Sequence, residues 1–347
     1  MKRRDFLVES AGVAGALLPG LSWAQAKPCP PPSLTAASGT TVTSSCGATD
    51  AEADWLLRKA GAIQAIDFRE SDQALFTKGI ATVPANVSRY TGDSVSGGAC
   101  LRINVPAASG TDPGSWKCFL NGAWNGMDIT QPQPSVGLNS TPFYVQYRVK
   151  FPPSWLLLAP GGDNQGKKVS IVSSNFHSNT PFEHVVQNVY NKGIVDAYHQ
   201  DNDSFEDFYE STSAGIKLQN AVGSASGEYC LYGTGPDYPN CYRFTPDVWM
   251  CLYMRIKVAV YGGVQSNPPA GNEFDLWAWK PGESGYSHLI SKRNYAVGGK
   301  DIYTNGFNGL WLTPYTSQRY ANTFTVDSHV LYDQVIVSLQ PIACPSV

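Results

Sequence analysis

FYVQYRVKF, residues 143–151, alternates from end to end. Tyr144, Gln146, Arg148 and Lys150 fall on one row, and Val145, Tyr147, Val149 and Phe151 on the other. A period of two is the signature of a strand with one apolar side. Working outward, the same kind of run recurs between Gly, Pro, Asn and Asp clusters: AIQAIDF, CLRINV, KKVSIVSSN, EHVVQNVY, WMCLYMRIKVAVY, EFDLWAWK, GLWLTPY and VLYDQVIVS. No helical periodicity lies between them, so the fold predicted is an all-β sandwich of two sheets rather than a parallel α/β sheet.

Composition agrees. Charged residues make up 15% and aromatics 12%, with 33 Gly and 24 Pro, the balance of a sheet protein with many turns. A net charge of −3 without any basic run argues against nucleic acid, and no protein partner is implied. The first residues, MKRRDFLVESAGVAGALLPGLSWAQA, combine Arg3-Arg4, a modest apolar run and an Ala24-Gln25-Ala26 site. They predict a twin-arginine signal peptide over 1–26 and a periplasmic or secreted protein. No stretch approaches the ~18 uninterrupted apolar residues of a membrane span. Residues 27–60 read as a Pro/Ser/Thr-rich linker followed by a short helix near Ala51 to Ala60, and 61–347 as one β domain. Eight cysteines bound for an oxidising space predict disulfides, paired by proximity as Cys230–Cys241, Cys100–Cys118, Cys29–Cys46 and Cys251–Cys344.

Several strands place Arg, Gln, Asn, Glu, Tyr and Trp where a simple core would hold Val and Leu. Glu183, Val185 and Gln187 share one side of their strand, and His184, Val186, Asn188 and Tyr190 the other. Glu273, Asp275, Trp277 and Trp279 form another mixed row. A curved sheet whose concave face holds a sugar chain needs this mixture, because sugar rings stack on aromatic faces and their hydroxyls need fixed polar partners.

On the FYVQYRVKFPPSW strand, the VVQNVYNKG and AYHQ segments, the DVWMCLYMRIKVAV and EFDLWAWKPGE strands and the closing VLYDQVIVS, the chain resembles concanavalin A-like jelly rolls, in particular polysaccharide lyases of the alginate and glucuronan type. The resemblance implies a jelly-roll sandwich with a concave glycan-binding face, and the alternation above predicts that this face includes Arg148 and Gln187. It also implies β-elimination on an acidic, uronic acid-containing polysaccharide. The Gln-x-His form of those lyases is replaced here by Gln187-Asn188-Val189. Tyr190-Asn191-Lys192-Gly193 and Tyr198-His199-Gln200 resemble a further motif at altered spacing.

Elimination needs a neutralised carboxylate, a base for the C5 proton and an acid for the leaving oxygen. The candidates are Gln187, with Asn188 or Arg148, for the carboxylate; His199 as base, taken to lie in a turn after the strand; and Tyr198 or Tyr190 as acid. Glu183, Lys192, Lys150, Trp277 and Trp311 are candidate substrate contacts. Each has a bland counterpart: a packed aromatic, an amide bonded to a loop, a lysine on a solvated face. A glycan-binding protein without catalysis uses the same face. A glycoside hydrolase would use a carboxylate pair, Glu183 with Glu206 or Glu273 with Asp275. The acidic run from Asp201 to Glu210 is weighed as a structural Ca2+ site against a solvated loop, and no other metal or cofactor is implied. The absence of phosphate-loop, G-x-S-x-G and H-E-x-x-H motifs removes support for nucleotide, serine esterase and zincin chemistry.

Overall fold

The computed structural model describes residues 51–69, 79–95, 97–107, 113–122, 135–137, 140–156, 166–173, 183–189, 193–200, 205–207, 215–216, 242–259, 271–293, 295, 306–315 and 326–346, with backbone alone at 166, 187–189, 199–200, 205–207 and 215–216. Among these residues the strands form two antiparallel sheets, a wide one of nine strands and a narrow one of seven. The wide sheet contains β1 (Ala62–Ile66), β3 (Val87–Tyr90), β4 (Cys100–Val105), β6 (Phe143–Lys150), β11 (Gly215–Ile216), β12 (Met250–Lys257), β13 (Glu273–Trp279), β14 (Ser287–Arg293) and β16 (Ser328–Ser338). The narrow sheet contains β2 (Ile80–Ala81), β5 (Trp116–Phe119), β7 (Gly166–Ser173), β8 (Glu183–Val189), β9 (Ile194–Gln200), β10 (Phe205–Asp207) and β15 (Gly309–Leu312).

The chain passes to and fro between the sheets. The wide sheet is ordered β11-β14-β13-β12-β6-β16-β4-β3, with β1 also against β16, and the narrow one β10-β9-β8-β7-β15-β5-β2. This is the predicted jelly-roll sandwich. β16 pairs through its first half with β4 and through its second with β1. The change falls at a bulge, where Gln334 takes a left-handed φ of 49°.

Alternation decides the core. Val145, Tyr147 and Val149 of β6, Leu252, Met254 and Ile256 of β12, and Leu310 and Leu312 of β15 all meet between the sheets. Each large apolar side chain fully buried there contributes on the order of 1.5–3 kcal/mol. Two phenols tie the layers together. Tyr332 donates to the Val169 carbonyl at 2.8 Å, and the Tyr147 hydroxyl meets Ser170 Oγ at 2.6 Å.

β6 and β12 are buried on both faces. The second face is covered by helix α1 (Ala51–Arg58), which turns Asp54, Trp55 and Arg58 inward and gives way to Gly61 at φ 77°. The C-terminal segment lies beside it, with Ile342, Ala343 and Cys344 in one cluster with Trp55, Tyr144, Tyr253 and Trp277.

Among the described residues no disulfide forms: Cys100, Cys118, Cys251 and Cys344 are free and buried. Cys118 points into the core, whereas Cys100 lies on the row of Arg102 on the other side of the wide sheet, so the expected Cys100–Cys118 bond is ruled out by geometry. Cys251 and Cys344 share one cluster. Burial pushes both thiols well above their ordinary range. Cys29, Cys46, Cys230 and Cys241 lie outside the described residues, as does the expected signal peptide.

Candidate active site

The expected single face joining Arg148 to Gln187 does not exist. Arg148 is in the wide sheet and Gln187 in the narrow one. Arg148 is fully buried beneath α1, 4.8 Å from the Trp279 ring and 3.8 Å from Asp54 Oδ2. Gln146, two residues earlier on that row, is consumed in the same way. Arg58 donates to Asp54 at 2.7 Å, to Gln146 at 2.6 Å and to Gln334, while Gln146 donates to Tyr286 and the Ala343 carbonyl. The polar row of β6 is therefore an internal network that fastens a helix and the C-terminal segment to the sheet.

The outward face of the narrow sheet is different. Ladder register sets Lys117 (β5), Trp311 (β15), Ile171 (β7), Val185 (β8) and Tyr198 (β9) side by side across five strands. The Lys117 ammonium stands 3.4 Å from the centre of the Trp311 ring, and Ile171, Val185 and Tyr198 pack together with Trp311 against them. One step along the strands, β7 carries a bulge between Lys168 and Ser170. There the Lys168 N–H donates to the Tyr315 carbonyl at 2.6 Å. The Lys168 ammonium lies 5.1 Å from the Tyr315 ring centre and 5.9 Å from that of Tyr198. Burial lowers the Lys168 pKa, and Glu183 opposes the shift. Lys168, Trp311 and Tyr315 keep part of their surface accessible; Tyr198 and Glu183 are nearly covered, at 3% and 5% exposed.

The neighbouring lysine shows why Lys168 is distinctive. Lys167 enters the core, is fully buried, donates to the Trp155 and Leu156 carbonyls, and has its pKa lowered by burial to about 7. Two consecutive lysines inside a β-run were the signal in KKVSIVS, since alternation must send one of them outward. Neither was among the expected site residues.

Of the residues that were, Tyr198, Glu183 and Trp311 reach this face. Gln187 occupies the position opposite Lys168 on β7 and Asp196 on β9. Asn188 and His199 do not share that row. Asn188 stands opposite Lys167 and Val195, and His199 opposite His184, positions of the inward row. The expected turn holding Tyr198 and His199 is strand β9, and the alternation along it separates the two positions. His184 is a core residue, its Nε2 2.6 Å from the Tyr295 hydroxyl and its ring stacked on Phe274. Tyr190, Lys192 and most of the acidic run proposed for Ca2+ lie outside the described residues, and Glu206 is described in backbone only. No group of three or more potential metal ligands occurs among the described residues.

The remaining candidates belong to the wide sheet. Trp277 is 1% exposed, stacked on His288 and packed at a tilt against Tyr253, so it cannot serve as a sugar platform. Lys150 pairs with Asp93 at 2.7 Å. Burial by itself would raise the Glu273 and Asp275 pKa values, yet Lys257 and Arg255 hold the first below its ordinary range and His288 and Arg293 the second. Both are thus ionised at neutral pH and engaged in ion pairs, which leaves this one of the two suggested hydrolase pairs without an acid.

No protein-family model matches the chain, and no curated protein matches it in sequence. Similar solved structures include the PL-14 alginate lyase from Aplysia kurodai, at 10% identity and TM-score 0.48, covering 80% of this chain and 98% of that one. A second is the alginate lyase vAL-1 from Chlorella virus, at 12% identity and TM-score 0.42, covering 80% and 99%. A third is a GH43 glycoside hydrolase, at 8% identity and TM-score 0.40, covering 80% of this chain and 41% of that one. At such identities and TM-scores these likenesses carry no activity over to this chain.

Proposed function

We propose that the protein is an exported polysaccharide lyase that cleaves a uronic acid-containing polysaccharide by β-elimination on the outward face of the narrow sheet. The observation that carries this reading is a lysine with a lowered pKa set between two phenols, beside a row running from a lysine-capped indole to a tyrosine. Burial disfavours the ammonium form of Lys168, and groups perturbed in this way cluster at reaction centres. In this reading Lys168 removes the C5 proton and Tyr198 or Tyr315 gives a proton to the departing C4 oxygen. Trp311 supports a sugar ring, while Lys117 and Gln187 neutralise the carboxylate. Lys168 takes the base role first assigned to His199, whose register position is on the inward row. Export rests on the Arg3-Arg4 start and the Ala24-Gln25-Ala26 site.

Incubation with a panel of alginate and glucuronan is expected to create C4–C5 double bonds, seen as new ultraviolet absorbance. Lys168→Met and Tyr198→Phe are each expected to lower turnover by roughly 10²–10⁴-fold, the range for a positioned base or acid. Reducing ends without that absorbance would mark a hydrolase, and neither signal a binding protein.

A further inference from the structure

On the outward side of the wide sheet, beyond the area covered by α1, lies a groove of about 320 Å³ whose walls include Asn86, Arg102, Asn104, Asp327, Ser328 and His329. Arg102 and Asn104 belong to β4 and His329 to β16, where it stands opposite Asn104. The Arg102 guanidinium is held in place from two sides. Its Nε donates to Asn104 Oδ1 at 2.8 Å, and its plane lies 5.0 Å from the centre of the Tyr90 ring. Its terminal nitrogens have no hydrogen-bond partner among the described residues, and neither does the His329 ring.

The other walls are fixed as well. Asn86 Nδ2 donates to the Pro113 carbonyl at 2.5 Å, which leaves the Asn86 carbonyl oxygen for a donor. Asp327 Oδ1 accepts the Ala107 N–H at 2.7 Å, which leaves Oδ2. Ser328 Oγ meets Ser154 Oγ at 2.9 Å. A ligand that satisfies this groove carries acceptors for Arg102 and the Asn104 amide, and donors for Asp327 and Asn86. An inorganic anion meets the first requirement and is repelled by Asp327. A neutral sugar meets the second and leaves the guanidinium without a carboxylate.

We propose that this groove is a binding site for a single acidic sugar unit, with Arg102 holding the carboxylate and Asp327 and Asn86 the ring hydroxyls. Its volume is at the low end of the ~300–1,000 Å³ of ligand pockets, which suits a short ligand or a chain end. Pre-positioned Arg–carboxylate hydrogen bonds are among the strong ones, so Arg102 carries most of the selectivity. The groove and the Lys168 cluster open on opposite sides of the sandwich, so one sugar unit cannot touch both. The choice of an acidic sugar follows from the groove's own donors and acceptors and does not depend on β-elimination elsewhere.

The imidazole proton signals of His329, assigned by their loss in His329→Gln, report occupancy of this groove alone. Titration of the full protein with glucuronate is expected to shift them saturably. In Arg102→Gln the apparent Kd should weaken at least about tenfold, the value of one lost charge-assisted contact, with an unchanged thermal melt. Should Arg102→Gln melt early, Asn104→Ala, which removes the partner of Arg102 Nε, is expected to weaken glucuronate binding in the same direction. A uronan lyase rate unchanged in Arg102→Gln separates this site from the narrow sheet, and a parent protein whose His329 signals do not respond to glucuronate while that rate persists would overturn this site alone. Equal shifts with glucose or inorganic phosphate, or glucuronate binding indifferent to Arg102, would refute the assignment.

Discussion

The outward faces of the two sheets begin from the same sequence pattern and end in opposite employment. On β6, Gln146 and Arg148 alternate with core residues just as Glu183 and Gln187 do on β8. Yet Gln146 and Arg148 are sealed beneath α1 and the C-terminal segment, with Arg58, Tyr286, the Ala343 carbonyl and Asp54 around them. The narrow sheet keeps Lys168, Trp311 and Tyr315 partly accessible, with an ammonium facing aromatic rings. A polar row on a strand thus states only that the face is not simple core. Which use it serves is decided by what packs on it.

The largest break in this comparison comes from Arg58. It bonds Asp54, Gln146 and Gln334 together in a buried setting. Arg58→Met leaves Asp54 a buried carboxylate with hydrogen bonds from Ser346 and with Arg148 as a distant charge. The expected loss of folding stability is about 3–5 kcal/mol, the cost of stranding one member of a buried pair. Urea unfolding reads it, and a loss below about 1 kcal/mol would show that α1 is only loosely attached.

A smaller effect sharpens the same contrast through pH. Burial raises the Asp333 pKa to about 8, against hydrogen bonds from the Val95 and Gln334 N–H groups and the nearby Arg148. Its folded value exceeds its unfolded one, so its contribution is full below about pH 4 and is lost as pH rises toward 8. Asp333→Asn is expected to flatten the decline of stability between those limits. An unaltered slope in Asp333→Asn would assign the decline to other groups.

The smallest effect belongs to Lys150, whose pair with Asp93 is partly solvated. Lys150→Ala is expected to change stability by no more than ~1 kcal/mol, as for surface ion pairs, and to leave turnover on a uronan intact. A large loss of turnover would return Lys150 to the substrate.

The sandwich was legible because strands such as 143–150 and 250–257 keep period two, and the runs named from sequence coincide with β1, β4, β6, β7, β8, β12, β13, β15 and β16. Short strands such as β2, β3 and β10 carry too few residues to show a period. Parity also placed Gln187 with Glu183 and separated it from Asn188. It did not show that 194–200 is a strand, since Gly193 and the polar AYHQ read as a turn. Nor can alternation say which sheet a strand joins, so Arg148 and Gln187 were set on one face. Lys168 was hidden for a related reason: a bulge between Lys168 and Ser170 shifts the row, and only the pairing with β8 and Tyr315 reveals which of two lysines turns outward.

The central claim is that catalysis belongs to the narrow sheet's face and that the Arg148 row is scaffold. Its most direct test is turnover per folded molecule, on whichever uronan gives ultraviolet-absorbing ends, for Lys168→Met and Arg148→Met side by side with their urea unfolding curves. The account predicts that Lys168→Met melts like the parent and loses roughly 10²–10⁴-fold in kcat. It predicts that Arg148→Met unfolds at lower urea while its folded fraction turns over at close to the parent rate. Full activity in Lys168→Met, or a stable Arg148→Met with turnover abolished, would contradict it.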